Sequence, residues 1–201
     1  HGDENGLVLP WEVAPTQVVI VPILLGDKEK VLAVCRQLKE ELYAAGMRAQ
    51  LDTSDERPGA KFYKWEMKGV PIRLEVGPRD IEKGVVTLVR RDKVKKAVPM
   101  IELAIAISKE AEELQAAIYS KACNLHDARV KEVASIEEAK AQTQVGVALV
   151  PWCGEEECGH KLEDQVGANM LGQPQYRDFP TARCAACGKE SPGRTYMARQ
   201  Y

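Results

Sequence analysis

The pattern of hydrophobic and polar positions in the first quarter of the chain predicts a βαβ-type unit. Residues 18–25 form a continuous apolar run, which is typical of a strand buried on both faces. From Val31 to Leu42 the apolar residues recur with helical spacing, so we expect a helix there, with Asp27 as its cap and Gly46 at its end. A short strand is predicted at 48–51.

The pattern beyond residue 56 alternates between short strands and helices. We expect a short helix over 60–68 behind Pro58, a half-exposed strand at 72–76 with two charged residues on its open face, and a strand at 85–89. Pro99 suits the start of a long helix that runs, straight or kinked, toward residue 130. A small helix at 136–142 and a strand at 145–150 then lead into a group of cysteines.

Composition indicates a globular protein with an aliphatic core. The chain has 201 residues, 45% of them hydrophobic, and only two Phe and three Trp. No apolar run reaches the roughly 18 residues that a membrane helix needs. The acidic residues Asp3 and Glu4 do not resemble a signal peptide, and a first residue other than Met suggests a fragment. We therefore expect a cytoplasmic protein whose first residues are the tail of an upstream segment.

Charge is unevenly distributed, although the net charge is only −2. Residues 57–96 carry 12 basic and 5 acidic side chains, whereas the segments before and after are both acidic. The last part of this stretch, from Arg90 to Lys96, follows a predicted strand without evident compensation. The clustering favours a polyanionic partner such as nucleic acid over an ordinary solvated face.

Four of the six cysteines form two close pairs, Cys153-x4-Cys158 and Cys184-x2-Cys187. Each pair has glycine beside it, which allows backbone amides to turn toward the sulfur atoms. Four thiolates from two such pairs are the ligand set of a closed, structural zinc site with no open position for a substrate. We expect one such site, and we expect it not to be catalytic.

Two other interpretations of the cysteine pairs remain open at this point. Two disulfides fit poorly with a chain that shows no sign of secretion, and a redox Cys-x-x-Cys would not need the second pair. His160 could also replace one sulfur as a ligand.

The predicted helix at 60–68 contains a candidate nucleic-acid reader. Phe62 and Glu66 are four residues apart and therefore share a face, where the ring could stack on a base and the carboxylate could accept hydrogen bonds from guanine. Arg73 on the next strand could meet guanine O6 or a phosphate. Equally, Phe62 could be a core residue and Glu66 a surface partner of Arg73 or Lys68. No nucleotide-binding glycine loop, Gly-x-Ser-x-Gly or His-Glu-x-x-His motif is present.

Several motifs together resemble prolyl-tRNA synthetases of the archaeal and eukaryotic-like type, over essentially the whole chain. The motifs that resemble the family's segment leaving the catalytic domain are His1-Gly2-Asp3, Gly6-Leu7-Val8-Leu9-Pro10 and Ala14-Pro15-x-Gln17-Val18. Those that resemble its anticodon-binding domain are Arg57-Pro58-Gly59-x-Lys61-Phe62-x-x-Trp65-Glu66-x-Lys68-Gly69-Val70-Pro71-x-Arg73 and Gly77-Pro78-Arg79-Asp80. Those that resemble its zinc-containing C-terminal domain are Pro151-Trp152-Cys153 and the other cysteines.

The resemblance implies an α/β anticodon-binding domain, with a mixed sheet flanked by helices, followed by a smaller α+β zinc-binding domain. It places the tail of the missing class II catalytic domain at 1–16, the anticodon-binding domain at 17–110 and the zinc-binding domain at 111–201. It also implies that Phe62, Glu66 and Arg73 contact the proline anticodon, whose two guanines identify the tRNA. Asp80 and Lys95 match the same anticodon-binding region.

The resemblance further implies what the whole enzyme does. It would use ATP to ligate proline to tRNA(Pro), as a homodimer, with a C-terminal tail whose last residue, here Tyr201, lies near the catalytic pocket. The class II ATP- and proline-binding motifs are absent from this chain, so we expect it to be inactive without its N-terminal catalytic domain. The alternatives are a stand-alone RNA-binding or regulatory module, or a zinc-stabilised scaffold for protein partners.

Overall fold

The computed structural model describes residues 1–175, 178–191 and 193–200. The chain divides into two compact units, His1–Ser120 and Lys121–Tyr201. The domain bounds expected from the sequence, 1–16, 17–110 and 111–201, stay predictions.

The first unit is a five-stranded sheet with helices on both faces, preceded by a two-stranded N-terminal hairpin. Its strands are β1 (Gly2–Asp3), β2 (Gly6–Leu7), β3 (Val18–Pro22), β4 (Ala49–Leu51), β5 (Ile72–Val76), β6 (Val85–Arg90) and β7 (Lys95–Pro99). Its helices are α1 (Lys28–Ala44), α2 (Pro58–Met67), α3 (Pro78–Glu82) and the first part of α4 (Leu103–Arg129), which follows a 3₁₀ turn at Met100–Glu102.

The sheet is mixed, in the order β4-β3-β5-β6-β7. Strand β3 pairs in parallel with β4 and β5, whereas β5–β6 and β6–β7 are antiparallel. Residues 18–21 of the central strand are completely buried, as their continuous apolar run predicts. The expected α/β fold with a mixed sheet flanked by helices is confirmed.

The two faces of this sheet are covered to different extents. On one face, α1 and the first part of α4 pack on residues such as Ile20 and Leu74 to form the main core. On the other face, α2 covers β3, with Trp65 packed against Val19 and Val21. No helix of the first unit forms a comparable core over β5, β6 and β7 on this second face, which is where the polar side chains described below lie.

Most of the elements in this unit appear where the pattern predicts them. The side chain of Asp27 accepts a hydrogen bond from the Lys30 amide and caps α1, and α2 begins at Pro58. Two expectations are wrong. Strand β5 is not half-exposed, because Glu75 is 9% exposed, and the basic run after β6 contains an additional strand, β7, in an antiparallel hairpin.

The second unit is an α+β arrangement around its own core. Its strands are β8 (Val130–Glu132), β9 (Val147–Trp152), β10 (Asn169–Gly172), β11 (Ala182–Arg183), β12 (Glu190–Ser191) and β13 (Gly193–Ala198). Its helices, besides the end of α4, are α5 (Ile136–Gln142) and α6 (Glu156–Val166). The main sheet has the order β10-β13-β9-β8, and β11 and β12 form a separate hairpin. The buried residues of α6, such as Leu162, pack against Val150 and Met197.

Within the part of the chain that the structure describes, no helix is both long and apolar enough to cross a membrane.

Candidate nucleic-acid interface and metal centre

One face of the first unit brings together four of the five predicted anticodon contacts. Sheet register places Val19, Arg73, Val89 and Lys95 in one row, and Glu75 lies in the next row on the same side. Helix α2 borders these rows and presents Phe62 and Glu66. We call this surface the α2 face and define it by the polar and aromatic side chains Phe62, Glu66, Arg73, Glu75, Lys93 and Lys95.

Arg73 lies at the centre of the α2 face. Its guanidinium lies over the Phe62 ring, 4.1 Å from the ring centroid. Glu75 Oε1 accepts hydrogen bonds from Arg73 Nε and Nη2 at 3.3 and 3.0 Å, and Lys95 Nζ donates to Glu75 Oε2 at 3.0 Å. Phe62 is half-buried against Trp65 and Val19, so one side of the ring is core and another supports a cation.

Glu66 has a different partner from those weighed in the sequence. Its carboxylate pairs with the ammonium of Lys93, and Arg91 Nη1 lies 4.0 Å away. The Glu66 side chain is 15% exposed. Neither Arg73 nor Lys68 is its partner. A base that bonds to this carboxylate must displace or share Lys93, whose side chain is 59% exposed and can move into water.

Asp80, the fifth predicted contact, has a local structural role. Its carboxylate accepts a hydrogen bond from the Gly77 amide at 2.9 Å and closes the first turn of α3. Ile81, next to it, packs into the main core on the opposite side of the sheet from α2. Asp80 therefore is not joined to the other four residues by a polar contact among the described residues.

The basic run from Arg90 to Lys96 is not free, which corrects the expectation of uncompensated charge. Arg90 pairs with Asp92, Glu110 and Glu113, and Lys96 pairs with the same two glutamates of α4. The other three cations pair with carboxylates that precede them in the chain, namely Arg91 with Asp3, Lys93 with Glu66 and Lys95 with Glu75. The local excess of positive charge is thus largely neutralised within the fold.

A buried polar cluster beneath α2 was missed by sequence reasoning. Lys61 is 2% exposed, and its Nζ donates to the Asp52 backbone oxygen at 3.1 Å and lies 3.7 Å from Asp52 Oδ1. Trp65 Nε1 donates to Asp52 Oδ2 at 2.6 Å, and the Ser54 hydroxyl donates to Oδ1. The signal available was the spacing of Lys61 and Trp65, which places both on the inner side of α2. The cluster fixes α2, and with it Phe62 and Glu66, at the end of β4.

The candidate metal centre is built from two turns in the second unit. Cys153 follows β9 and Cys158 lies in the first turns of α6, whereas Cys184 and Cys187 lie in the turn of the β11–β12 hairpin. Gly154 and Gly188 have φ angles of 94° and 72°, a conformation that other residues rarely adopt.

The hairpin that carries Cys184 and Cys187 is tied to strand β9. The Ala185 amide donates to the Pro151 oxygen at 3.1 Å, and the Ser191 hydroxyl donates to the Trp152 oxygen at 2.6 Å. These contacts bring together two cysteine pairs that are 25 residues apart in the chain.

The sulfur geometry fits a tetrahedral metal ion. The four Sγ atoms lie within 4.8 Å of one another, and those of Cys153 and Cys187 are 3.9 Å apart. Metal–sulfur bonds of about 2.3 Å at tetrahedral angles require sulfur atoms roughly 3.8 Å apart. A disulfide would need about 2.05 Å, and the Cys184–Cys187 pair does not open a helix, so neither rival interpretation matches this arrangement. His160 is exposed on α6, beside Glu156 and Glu163.

The surroundings of Cys184 favour a thiolate. Burial alone would raise the pKa of this thiol, but backbone N–H groups of Cys153, Ala186 and Cys187 point at the sulfur and lower its pKa to about 7. A sulfur that is buried at 2% exposure and surrounded by amide donors is suited to a metal ligand. Tyr201, predicted to extend toward a catalytic pocket, lies outside the described residues.

The chain matches two family models. One described as "Anticodon binding domain" matches residues 17–116, and one described as "Prolyl-tRNA synthetase, C-terminal" matches residues 136–201. The first covers the sheet that carries the α2 face, and the second covers all four clustered cysteines.

Curated relatives match over the full length of this chain. The proline–tRNA ligase of Methanothrix thermoacetophila is 59% identical over 202 residues, and that of Methanococcoides burtonii is 47% identical over 203 residues. That of Pyrococcus abyssi is 42% identical over 209 residues. The chain spans 42% of the length of the first two and 44% of the third.

A solved structure matches as well. The crystal structure of prolyl-tRNA synthetase from Cryptosporidium parvum, complexed with L-proline and AMP, superposes with a TM-score of 0.92 at 33% identity. The match covers 100% of this chain and 44% of that one.

Proposed function

This chain belongs to the prolyl-tRNA synthetase family, as its C-terminal part, and from this premise we propose that it reads the anticodon of tRNA(Pro) for an enzyme that ligates proline to that tRNA. The observation that carries the proposal is the α2 face, where an aromatic ring, three cations and two carboxylates lie together on an anticodon-binding fold. The resemblance of the sequence motifs to this family is confirmed.

We assign Phe62 and Arg73 to stacking and base-edge contacts. The guanidinium lies over the ring, and bases of single-stranded RNA loops stack on both kinds of surface. Arg73 uses Nε and Nη2 for Glu75, so Nη1 has no protein acceptor among the residues that the structure describes. The two N–H groups of Nη1 are available to guanine O6 or N7.

We assign Glu66 to the recognition of guanine N–H donors. Its carboxylate is only 15% exposed, so its hydrogen bonds are partly shielded from water and depend on the donor that faces it. Lys93, its partner in the free protein, moves away when a base takes its place. Lys95, with a 60% exposed side chain, adds attraction to the RNA backbone that does not depend on sequence. Asp80 holds the first turn of α3 through the Gly77 amide, and a contact between its carboxylate and the anticodon stays a prediction.

The four clustered cysteines would hold one zinc ion with a structural role. Cysteine-only ligation in a tetrahedral arrangement is typical of Zn²⁺, and four sulfur ligands leave no position open for a substrate. Bound there, the ion would join α6 and β9 to the β11–β12 hairpin.

The remaining parts of the reaction belong to the whole enzyme. Because the chain spans 42% of the length of its relatives, we assign ATP and proline binding to an N-terminal catalytic domain and propose a cytoplasmic homodimer as the active form. The 201-residue chain alone should not exchange pyrophosphate with ATP and proline. Robust exchange by this chain would contradict that division.

Binding of anticodon stem–loops tests the proposal directly. Two RNA hairpins are compared, one with the two guanines of the proline anticodon and one in which pyrimidines replace them. The wild-type chain should prefer the first, and Glu66→Ala should lose that preference by roughly 1–3 kcal/mol if the contact is bidentate. Glu56→Ala, which removes an exposed carboxylate near the start of α2, is the matched control and should retain the preference. Equal weakening of both hairpins by Glu66→Ala would mean that Glu66 does not read bases.

A further inference from the structure

Glu75 is a buried carboxylate on the RNA-facing side of the sheet, and no sequence motif singles it out. It lies in a row with Val21 and Thr87, and its residue exposure is 9%. Burying an ion pair costs desolvation energy, and uncharged residues of similar volume often replace one without loss of stability. The fold alone therefore gives little reason for a charge at this position.

The contacts of the Glu75 carboxylate indicate a role in RNA recognition. One oxygen binds Arg73 through Nε and Nη2, and the other binds Lys95. Two hydrogen bonds to one oxygen hold the guanidinium over the Phe62 ring, 4.1 Å from its centroid, and Nη1 makes no hydrogen bond to the carboxylate. The single carboxylate thus touches both cations that the sheet contributes to the α2 face.

The same contacts occupy one of the two edges of Arg73 that can bind phosphate through two N–H groups. Arginine binds phosphate most strongly when two parallel N–H groups meet two oxygens, and this binding is independent of base sequence. With Nε and one N–H of Nη2 bound to Glu75, Arg73 keeps its outer edge for RNA, namely the two N–H groups of Nη1 and the second N–H of Nη2, beside a carboxylate that offsets its charge. Lys95 is likewise held near a negative charge, which reduces its attraction for a passing backbone.

We propose that Glu75 is a specificity-determining residue, which suppresses sequence-independent RNA binding by Arg73 and Lys95 and leaves Arg73 positioned for a base edge. The proposal rests on the function proposed above. It explains why a surface for a polyanion has carboxylates paired with its cations. The affinity for RNA then depends on contacts with the correct bases, because contacts with phosphate alone add little binding free energy.

The test measures the salt dependence of RNA binding by the complete 201-residue chain. Binding of the two stem–loops is followed by fluorescence anisotropy between about 50 and 200 mM KCl, for wild type and Glu75→Gln. Each freed phosphate contact should make the slope of log K against log[salt] steeper by about 0.7, so one or two contacts predict about 0.7–1.4. Affinity for the pyrimidine-swapped loop should rise roughly threefold to tenfold, and the preference for the guanine loop should fall.

Two further variants isolate the effect. Glu113→Gln removes the same charge from α4, where Glu113 pairs with Arg90 and Lys96, and should leave both slope and preference unchanged. The double variant Glu75→Gln/Lys95→Ala should return the slope partway to that of wild type. Glu75→Met, which keeps the volume without the charge, should behave like Glu75→Gln.

The outcomes separate this inference from the function on which it rests. Wild-type chain that binds both loops equally would contradict the proposed function, and this inference with it. Wild-type preference for guanine together with unchanged slope and preference in Glu75→Gln would contradict the role of Glu75 alone. Loss of folding in both Glu75→Gln and Glu75→Met would also overturn it, since the carboxylate would then be structural.

Discussion

Arg91 binds Asp3 through two hydrogen bonds, Nη1 to Oδ2 at 3.0 Å and Nη2 to Oδ1 at 2.6 Å, although 88 residues separate the two. Its Nε also donates to the Leu7 oxygen at 2.8 Å, so a side chain that is 3% exposed fastens the N-terminal hairpin to the sheet. Gly6 lies so close to Met67 that an added Cβ would be 2.4 Å from the Met67 Cα. The hairpin therefore packs directly against the end of α2.

Replacing Arg91 by alanine should detach this hairpin. We expect the free energy of unfolding to fall by about 1–3 kcal/mol, because the hairpin loses its hydrogen bonds while the partly exposed Asp3 can be solvated. Urea denaturation measures the loss, and hydrogen exchange should show reduced protection at the Val8 amide, which bonds to the His1 oxygen. Arg36→Ala, which removes an exposed arginine of α1, is the control. Unchanged protection at Val8 in Arg91→Ala would show that the hairpin is held by packing alone.

The cysteine cluster predicts one zinc ion per chain. Metal analysis of protein purified without chelator should find it, and Cys184→Ser should abolish it and unfold mainly residues 121–201, because metal binding there is part of the folding energy. The first unit has its own core and should keep its structure. Cys123→Ser, in α4 and outside the cluster, should retain the metal. Protein with two disulfides and no metal would refute the assignment.

Replacing Phe62 should remove a stacking contact with RNA, whereas replacing the neighbouring aromatic residue Tyr63 should not. Phe62→Leu should weaken binding of both stem–loops by about 1–3 kcal/mol, because stacking tolerates any base and because the support under Arg73 is removed. Tyr63→Leu is the matched control, since Tyr63 is the next residue of α2 and 59% exposed but lies outside the α2 face. Equal effects of the two substitutions would argue that Phe62 is only a core residue.

The lowered pKa of Asp52 predicts that the protein loses stability in acid. Burial would raise its pKa, but hydrogen bonds from Ser54 and Trp65 and the charge of Lys61 outweigh burial and lower the pKa from 3.8 to about 2. The folded state therefore binds fewer protons than the unfolded state near pH 3. Ionised Asp52 thus contributes stability above about pH 4, on the order of 2 kcal/mol, and the contribution is lost as the pH falls through about 2.

A comparison of Asp52→Asn with wild type between pH 7 and pH 2 checks this contribution. The difference in unfolding free energy between the two proteins should be largest at neutral pH and should shrink as the pH falls toward 2. Asp55→Asn, which changes an exposed aspartate of the same loop, should show no such dependence. A difference that stays constant with pH would mean that the Asn variant acts through packing rather than charge.

Features that depend on neighbours along the chain can be predicted from the order of residues alone. Helix α1 has its buried stripe and its Asp27 cap within 18 consecutive residues, and the run at 18–21 is apolar enough to be central in any sheet. The two cysteine pairs are also apparent in the sequence, because the two cysteines of each pair are close in the chain and have glycine beside them. These features involve interactions over a few residues, which the local order of side chains decides.

The pairing of charged side chains, by contrast, depends on how the folded chain brings distant residues together. Lys95 and Lys96 follow each other in the chain, yet strand alternation sends one to Glu75 and the other to Glu110 of α4. The buried position of Lys61 likewise depends on Asp52, which β4 brings beneath α2. Strand β7 is not predicted from the sequence, because the charged residues there are interpreted as contacts for a polyanionic partner. Pairings between distant residues depend on sheet order and register, and residue types alone do not encode which carboxylate a given cation will face.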